Sequence, residues 1–267
     1  MLLLFSDALR LGPLERLLRP APGVPARAFG LPLAAALRRW DRQTAGVHRF
    51  VAISRHIADR IRRAYDRPAD VIYPPVDVSR FEIADATDDY YLVVGALVPY
   101  KRVDLAVAAA NRLGRRLVVA GTGPEEARLR AMAGPTVSFL GWRPDDEIAR
   151  LYARCRALIF PAVEDFGITP LEAAAAGRPT IAFAGGGALE TMVSLDSTEG
   201  PPTAVFFAEQ STDALLAAIS RFERASDRFD GKALRARAES FDRPVFKQKL
   251  GDYIAARWGE RRARPAC

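Results

Sequence analysis

Metal and redox chemistry have little to work with in this sequence. Its 267 residues include two cysteines and two histidines. Cys155 falls inside a helical pattern and Cys267 is the last residue, so neither a disulfide framework nor a thiolate metal site is expected. His48 and His56 both sit in the first quarter of the chain. Neither has a Ser, Cys or Asp arranged as a triad, and no metal-ligand spacing exists, so no metal and no cofactor are expected. Long apolar runs are missing too, none reaching the ~18 residues of a membrane-spanning helix. Met1-Leu2-Leu3-Leu4-Phe5 is too short for a signal core and runs into Asp7. A cytosolic, reducing setting is the default expectation. No internal repeat occurs at solenoid spacing. Basic residues are not interleaved with aromatics and no recognition motif occurs, which argues against a nucleic-acid partner.

Positive charge is carried almost entirely by arginine. Residues 1–67 hold thirteen Arg and no Lys against five Asp or Glu, within a net charge of +7. Two readings stay open. One is compositional. The other is a face that meets an anionic lipid surface or an anionic acceptor, that is, a peripheral membrane contact. Otherwise the composition, 49% hydrophobic and 27% charged, is that of an ordinary globule. The length suits one large domain or one and a half small ones.

Leu9, Leu11, Leu14, Leu17 and Leu18 give a broken helical pattern that Pro20, Pro22, Gly23 and Pro25 interrupt. Leu31 to Thr44 reads as an amphipathic helix, His48 to Ile53 as a strand, and Ser54 as the cap of a helix from Arg55 to Tyr65. Val71 to Tyr73 is a short strand ended by Pro74-Pro75, and Val76 to Thr87 reads as a charged linker without periodicity. Regular alternation follows. Strands are expected at 90–97, 116–120, 136–140, 157–160, 180–183 and 205–207, and helices at 103–113, 124–132 and 144–153. Three helical patterns close the chain, at 212–224, 231–240 and 244–258, and 259–267 reads as a disordered tail. Such alternation predicts an α/β fold with a doubly wound parallel sheet, helices on both faces, and ligands at the carboxyl ends of the strands near the switch point.

The densest chemistry lies between Glu164 and Gly177, in EDFGITPLEAAAAG. The apolar strand Ala157–Phe160 leads into a turn with Phe166 and Gly167. Then Thr169 is expected as N-cap, Pro170 at the first helical position and Glu172 three residues after the cap, with Gly177 and Pro179 ending the helix. A helix tip of this kind offers backbone N–H groups to a phosphate, and ionised carboxylates on either side accept from sugar hydroxyls. The competing reading is a capping box, in which Glu172 merely returns to the cap N–H.

Other post-strand loops share that rim. In Leu97-Val98-Pro99-Tyr100-Lys101-Arg102, Lys101 is a compact charge suited to a diphosphate, and Arg102 either joins it or faces water. Gly121-Thr122-Gly123 reads as a geometric turn, and a lone G-x-G is weak evidence of nucleotide binding. Trp142 and Arg143 either lie beside a base or pack. Gly185-Gly186-Gly187 either lets a ligand approach the backbone, with Gly186 and Glu190 beside it, or is a flexible loop followed by a dipole-complementing acid.

Taken in order, these pieces resemble glycosyltransferase family 4, the retaining enzymes of the GT-B fold, and most of all bacterial mannosyltransferase-like members. The resemblance is carried by FVAISRHIADRI, VIYPPVDVSRF, YYLVVGALVPYKRVDLAV, LVVAGTGPE, VSFLGW, LYARCRALIFPAVEDFGITPLEAAAAGRPTIAF and GGGALE. It is dense over residues 46–195, and Glu164 and Glu172 in their E-x7-E spacing are its specific element. The resemblance implies a nucleotide-sugar donor, GDP- or UDP-linked, and a glycan or lipid-linked acceptor. Glu164 would meet the sugar hydroxyls and Glu172 the ribose hydroxyls. Phe166, Gly167, Ile168 and Thr169 would present N–H groups to the diphosphate, and Lys101 would stabilise the departing phosphate, without a metal.

Two departures from the family pattern stand out. An Arg usually occurs five residues before the phosphate Lys, where this chain has Ala96. The family also carries an acceptor-binding Rossmann domain upstream, of which only closing helices are recognisable here. The expected organisation is residues 1–75 as the remnant of that domain, 76–240 as the nucleotide-sugar domain and 241–258 as a crossing helix, with 259–267 as tail.

Overall fold

A computed structural model of the chain describes residues 36, 37, 39–41 and 46–263. The leucine pattern of the first thirty residues lies outside the described residues. Of the Leu31–Thr44 helix only 36, 37 and 39–41 are described, and these are helical. The chain divides between Ile72 and Tyr73 into two compact units.

The smaller unit holds β1 (Phe50–Ala52), α1 (Arg55–Tyr65) and β2 (Ala69–Val71). The two strands pair in parallel, Phe50 opposite Ala69, so α1 is a crossover. Ser54 starts α1 as expected, its hydroxyl accepting the Ile57 N–H at 3.0 Å. Phe50, Ala52, Ile57 and Ile61 form the small core. β2 lies two residues before the expected Val71–Tyr73 strand, because its register is set by pairing with β1 rather than by the apolar run Val71-Ile72.

The larger unit is built on a six-stranded sheet. Its strands are β3 (Tyr91–Val94), β4 (Leu117–Ala120), β5 (Val137–Gly141), β6 (Ala157–Phe160), β7 (Thr180–Phe183) and β8 (Ala204–Phe207). Every pairing is parallel, and the spatial order is β5-β4-β3-β6-β7-β8. The helices are α2 (Val103–Leu113), α3 (Glu126–Met132), α4 (Asp145–Arg154), α5 (Ile168–Ala175), α6 (Ala188–Thr191), α7 (Thr212–Arg224), α8 (Gly231–Glu239) and α9 (Arg243–Ala263). The chain winds from β3 outward through β4 and β5, then returns to β6 and winds the other way. β3 and β6 are therefore neighbours at the switch point, where crossovers diverge and leave a crevice at the carboxyl ends.

Both faces of the sheet are covered, which is why its strands read as apolar runs rather than alternations. Tyr91, Val93, Ile159, Ile181 and Val205 pack with α2 and α7 residues such as Val107, Leu215, Ile219 and Phe222. The alternate residues Leu92 and Leu158 are also fully buried. α5 packs with both α4 and α8.

Two expectations are corrected. Val76–Thr87 is not a bare linker. Val76 bridges to Asp242, Val78–Arg80 form a 3-10 turn, and Phe81 is buried edge-on to Tyr152 at 5.8 Å. These apolar anchors are irregularly spaced, so no period betrays them. Nor does disorder begin at Gly259: α9 continues through it to Ala263, supported by an Arg257–Glu260 ion pair. Residues 264–267 lie outside the described set.

Candidate functional site

Lys101 and Glu164 meet across the switch point. Lys101 ends the 3-10 turn Pro99–Lys101 that follows β3, and Glu164 lies in the crossover that follows β6. Their charged ends form an ion pair, and both side chains are mostly buried. Gly95 lies directly below the ammonium: a Cβ built there meets only Lys101 Nζ, at 3.9 Å. A charged pair set over a glycine leaves room for a ligand to approach the backbone of the β3 loop.

The helix after Glu164 begins two residues earlier than expected. Gly167, with φ of 84°, is its N-cap, and Thr169 lies inside α5. Gly167 can supply no side-chain cap, and no carbonyl takes the amides of Gly167, Ile168 or Thr169 among the described residues. Glu172 does not close a capping box. Its Oε2 accepts from the Tyr152 hydroxyl at 3.0 Å instead. The tip of α5 is thus a set of outward N–H groups at the positive end of a helix. The C-terminus follows expectation, Gly177 adopting φ of 73° and its amide donating to Ala174 O at 2.9 Å.

Burial raises the pKa of Glu172, a shift opposed by the Tyr152 hydrogen bond and by the Arg80 guanidinium. Tyr152 is fully buried and held well above the ordinary phenol range, first by burial and then by the Glu172 carboxylate. Tyr152 therefore remains a donor, and Glu172 keeps an acceptor oxygen for another partner.

The glycine loop packs against protein, not open space. Gly187 N–H donates to Glu164 O at 2.8 Å. A Cβ on Gly186 would overlap Glu164 O, and one on Gly187 would overlap the Phe166 backbone. The glycines therefore let two crossovers touch, which supports the Glu164–Gly167 loop from below. Gly121 and Gly123 do the same beneath Gly95 and Leu97, where Leu97 N–H donates to Thr122 O at 2.9 Å.

Phe166, expected to offer its N–H outward, buries its ring against Tyr73 and Phe241. Ile168 is partly exposed at the rim. The Arg102 guanidinium pairs with Asp104, at 3.2 and 3.3 Å. Glu190 lies in the first turn of α6, at the start of the helix as expected, and accepts from the Tyr73 hydroxyl at 3.0 Å. Trp142 stands 72% exposed on the same rim, not packed as a core tryptophan, while Arg143 pairs with Glu147. Sequence reasoning missed Tyr73, Tyr152 and Arg237, which hold the site from behind. Only their spacing to motif residues in three dimensions reveals them.

Among the described residues no cluster of His, Cys, Asp and Glu is able to hold a metal ion, and no helix is long and apolar enough to cross a membrane. A cavity of about 500 Å³ opens at the opposite, amino end of the sheet, beside Asp88, Arg156 and Arg178. Its carboxylates are paired, Asp88 with Arg154 at 2.7 Å and Asp89 with Arg156 at 2.9 Å, and none of the candidate site residues lines it.

Comparison with known proteins places this geometry among relatives. Residues 77–239 match the family described as glycosyl transferases group 1. The chain is 31% identical over 223 residues to a GDP-mannose-dependent alpha-(1-6)-phosphatidylinositol monomannoside mannosyltransferase of Mycobacterium tuberculosis, covering 72% of this chain and 57% of that protein. Its fold resembles sucrose-phosphate synthase from Thermosynechococcus elongatus, with a TM-score of 0.72, 21% identity and coverage of 85% and 62%. It also resembles Anabaena HepE in complex with UDP and glucose, with a TM-score of 0.69, 19% identity and coverage of 82% and 67%. The chain thus spans less than two thirds of the mycobacterial relative and of the synthase.

Proposed function

Because this chain belongs to the glycosyl transferases of group 1, we propose that it transfers a hexose, mannose by preference, from a nucleotide sugar to a glycan or lipid-linked acceptor with retention of configuration. The observation that carries the reading is the Lys101–Glu164 pair across the β3/β6 crevice, beside the uncapped tip of α5. A diphosphate at that tip meets the amides of Gly167, Ile168 and Thr169 and the Lys101 ammonium. Glu164 and Glu172 then lie on either side of it, one for sugar hydroxyls and one for ribose hydroxyls. The mannosyl donor is supported by the GDP-mannose dependence of the mycobacterial relative, and UDP donors by the UDP bound to HepE.

In the transfer step the acceptor hydroxyl oxygen bonds to the anomeric carbon as the carbon–oxygen bond to phosphate breaks. The departing phosphate oxygen takes the hydroxyl proton, so the nucleoside diphosphate leaves on the face that is attacked. This chain's part is electrostatic: Lys101 and the α5 amides stabilise the charge that grows on phosphate, and Glu164 orients the sugar. In this scheme the larger unit is the donor half and the smaller unit belongs to the acceptor side. The acceptor of the mycobacterial relative is a lipid, and the arginine-rich first 67 residues suit a peripheral contact at the cytoplasmic face of an anionic membrane.

A second reading, nucleotide-sugar binding without turnover, is favoured by Ala96, which stands where the family usually has an arginine. One experiment separates the two. The purified chain is titrated calorimetrically with GDP-mannose and UDP-glucose, then incubated with donor and a lipid-linked acceptor, and the anomeric proton of the product is read by NMR. Binding with an α-linked product supports transfer with retention. Binding alone supports the second reading, and no binding removes both.

A further inference from the structure

We propose that Tyr73 and Glu190 form a strut that holds the Glu164–Thr169 loop in its binding geometry, so that Glu190 is a positioning residue rather than a contact of the donor. The functional consequence rests on the donor site proposed above; the structural content does not.

Tyr73 is the first residue of the larger unit. Its ring stacks on Phe166 at 5.8 Å with 26° between planes, and meets Phe241 edge-on at 5.5 Å. Phe166 and Phe241 are themselves 5.9 Å apart and buried. From this three-ring cluster the Tyr73 hydroxyl reaches the Glu190 carboxylate at 3.0 Å. A phenol donating to a carboxylate is a charge-assisted bond, stronger than one between neutral groups.

Glu190 is anchored at its other end. Arg237 donates to the carbonyls of Glu190 at 2.8 Å and Thr191 at 2.7 Å, and its guanidinium lies 5.1 Å over the Phe241 ring. The turn carrying Phe241 is tied to the chain just after Tyr73, Val76 N–H donating to Phe241 O at 2.9 Å. Beneath, Gly187 N–H holds Glu164 O at 2.8 Å. Phe166 is therefore fixed on its ring by Tyr73 and along its backbone by the glycine loop. It sits between Glu164 and Gly167. A rotation that released its ring would displace the Glu164 carboxylate and redirect the amides of Gly167, Ile168 and Thr169. Tyr73 and Glu190 close this arrangement by tying the β7–α6 crossover, through the aromatic cluster, to the β6–α5 crossover. The hydroxyl needs only an oxygen acceptor at Glu190, which separates a strut from a group that grips sugar hydroxyls by its charge.

Three variants test this. Tyr73→Phe keeps the rings and deletes the bond, Glu190→Gln keeps an acceptor and deletes the charge, and Glu190→Ala deletes both. Hydrogen exchange across residues 164–171 is followed by mass spectrometry in ligand-free protein, with β4 as reference, and the affinities for GDP, UDP, GDP-mannose and UDP-glucose are measured by calorimetry. Tyr73→Phe and Glu190→Ala should each speed exchange in that segment by about tenfold and weaken nucleoside diphosphate binding in parallel, while β4 stays unchanged. Glu190→Gln keeps an acceptor but loses the charge assistance, so both effects should be clearly smaller than in Tyr73→Phe, about threefold. Unchanged exchange in Tyr73→Phe would overturn the strut. So would a Glu190→Gln protein that loses nucleotide-sugar affinity with normal exchange, since Glu190 would then touch the donor. Wild-type protein that binds neither GDP nor UDP would remove the donor reading, and the exchange data would still decide the strut.

Discussion

Tyr152 donates a 3.0 Å hydrogen bond to the Glu172 carboxylate from a fully buried position. The pair joins α4 to α5, and the Tyr152 ring meets Phe81 edge-on at 5.8 Å. Tyr152→Phe keeps that packing and leaves a mostly buried carboxylate without its donor. The expected loss is about 1–3 kcal/mol of folding stability, read as a lower urea midpoint at unchanged slope. A variant as stable as wild type would mean that water replaces the phenol.

The same carboxylate sets a pH dependence. Glu172 has its pKa raised above the ordinary value of 4.5, chiefly by burial. A raised folded-state pKa favours folding below the unfolded value, and this contribution is lost as pH rises through the folded value. Donor binding runs the other way, because ribose hydroxyls need the ionised acceptor. Nucleotide affinity should fall as pH drops through the raised pKa, at a higher pH than an ordinary carboxylate would give. Calorimetry between about pH 8 and about pH 5 checks this: wild type declines, and Glu172→Gln starts weaker and stays flatter. Parallel curves for the two proteins would exclude Glu172 as the titrating group.

Lys101 and Glu164 neutralise one another in the absence of a donor, so their substitutions should act with opposite sign on nucleoside diphosphate binding. Lys101→Ala removes a cation beside the phosphates and leaves Glu164 to repel them. A loss of about 1.5–3 kcal/mol is expected, with a shallower salt dependence. Glu164→Gln frees Lys101 for phosphate, so GDP or UDP should bind as well as or better than to wild type, while sugar transfer is lost. Equal weakening by both variants would contradict the division of roles.

Much of this site was readable from residue type and spacing. The Ala157–Phe160 strand, the rim loops and the E-x7-E carboxylates follow from apolar runs and breakers, which act locally. The tip of α5 was misplaced because Thr-Pro-x-Glu is a good local start signal. Gly167 in the left-handed region and the pull of Tyr152 on Glu172, twenty residues away, override it. The glycine loop is open in sequence between a ligand approach and a flexible turn, whereas Gly186 and Gly187 make room for Glu164 and Phe166. Arg102, open in sequence between phosphate and water, pairs with Asp104 two positions on. The Tyr152–Glu172 bond and the glycine-loop packing are tertiary contacts that no local pattern encodes.

Cys155 offers a check on core integrity. Burial pushes its thiol up to about 12, and the side chain is fully enclosed. Since the thiolate is the reactive form, a disulfide reagent should leave Cys155 untouched in native protein and modify it in urea. Rapid native labelling would mean that α4 opens readily.

Two glycine substitutions should part company. Gly251 lies within α9, and a Cβ there meets nothing within 4 Å. Alanine restricts the unfolded chain and favours the helix, so Gly251→Ala should stabilise by about 0.5–1 kcal/mol without altering nucleotide affinity. Gly187 is the opposite case, since its Cβ would overlap the Phe166 backbone, which no side-chain rotation relieves. Gly187→Ala should cost about 1–3 kcal/mol as the two crossovers are forced apart. The displacement falls on the loop between Glu164 and Gly167, so nucleotide binding should weaken more than the lost stability alone explains. Measuring binding well below the melting temperature of each variant isolates that excess. A Gly187→Ala protein with wild-type affinity would show that the loop keeps its shape without close support from the glycines.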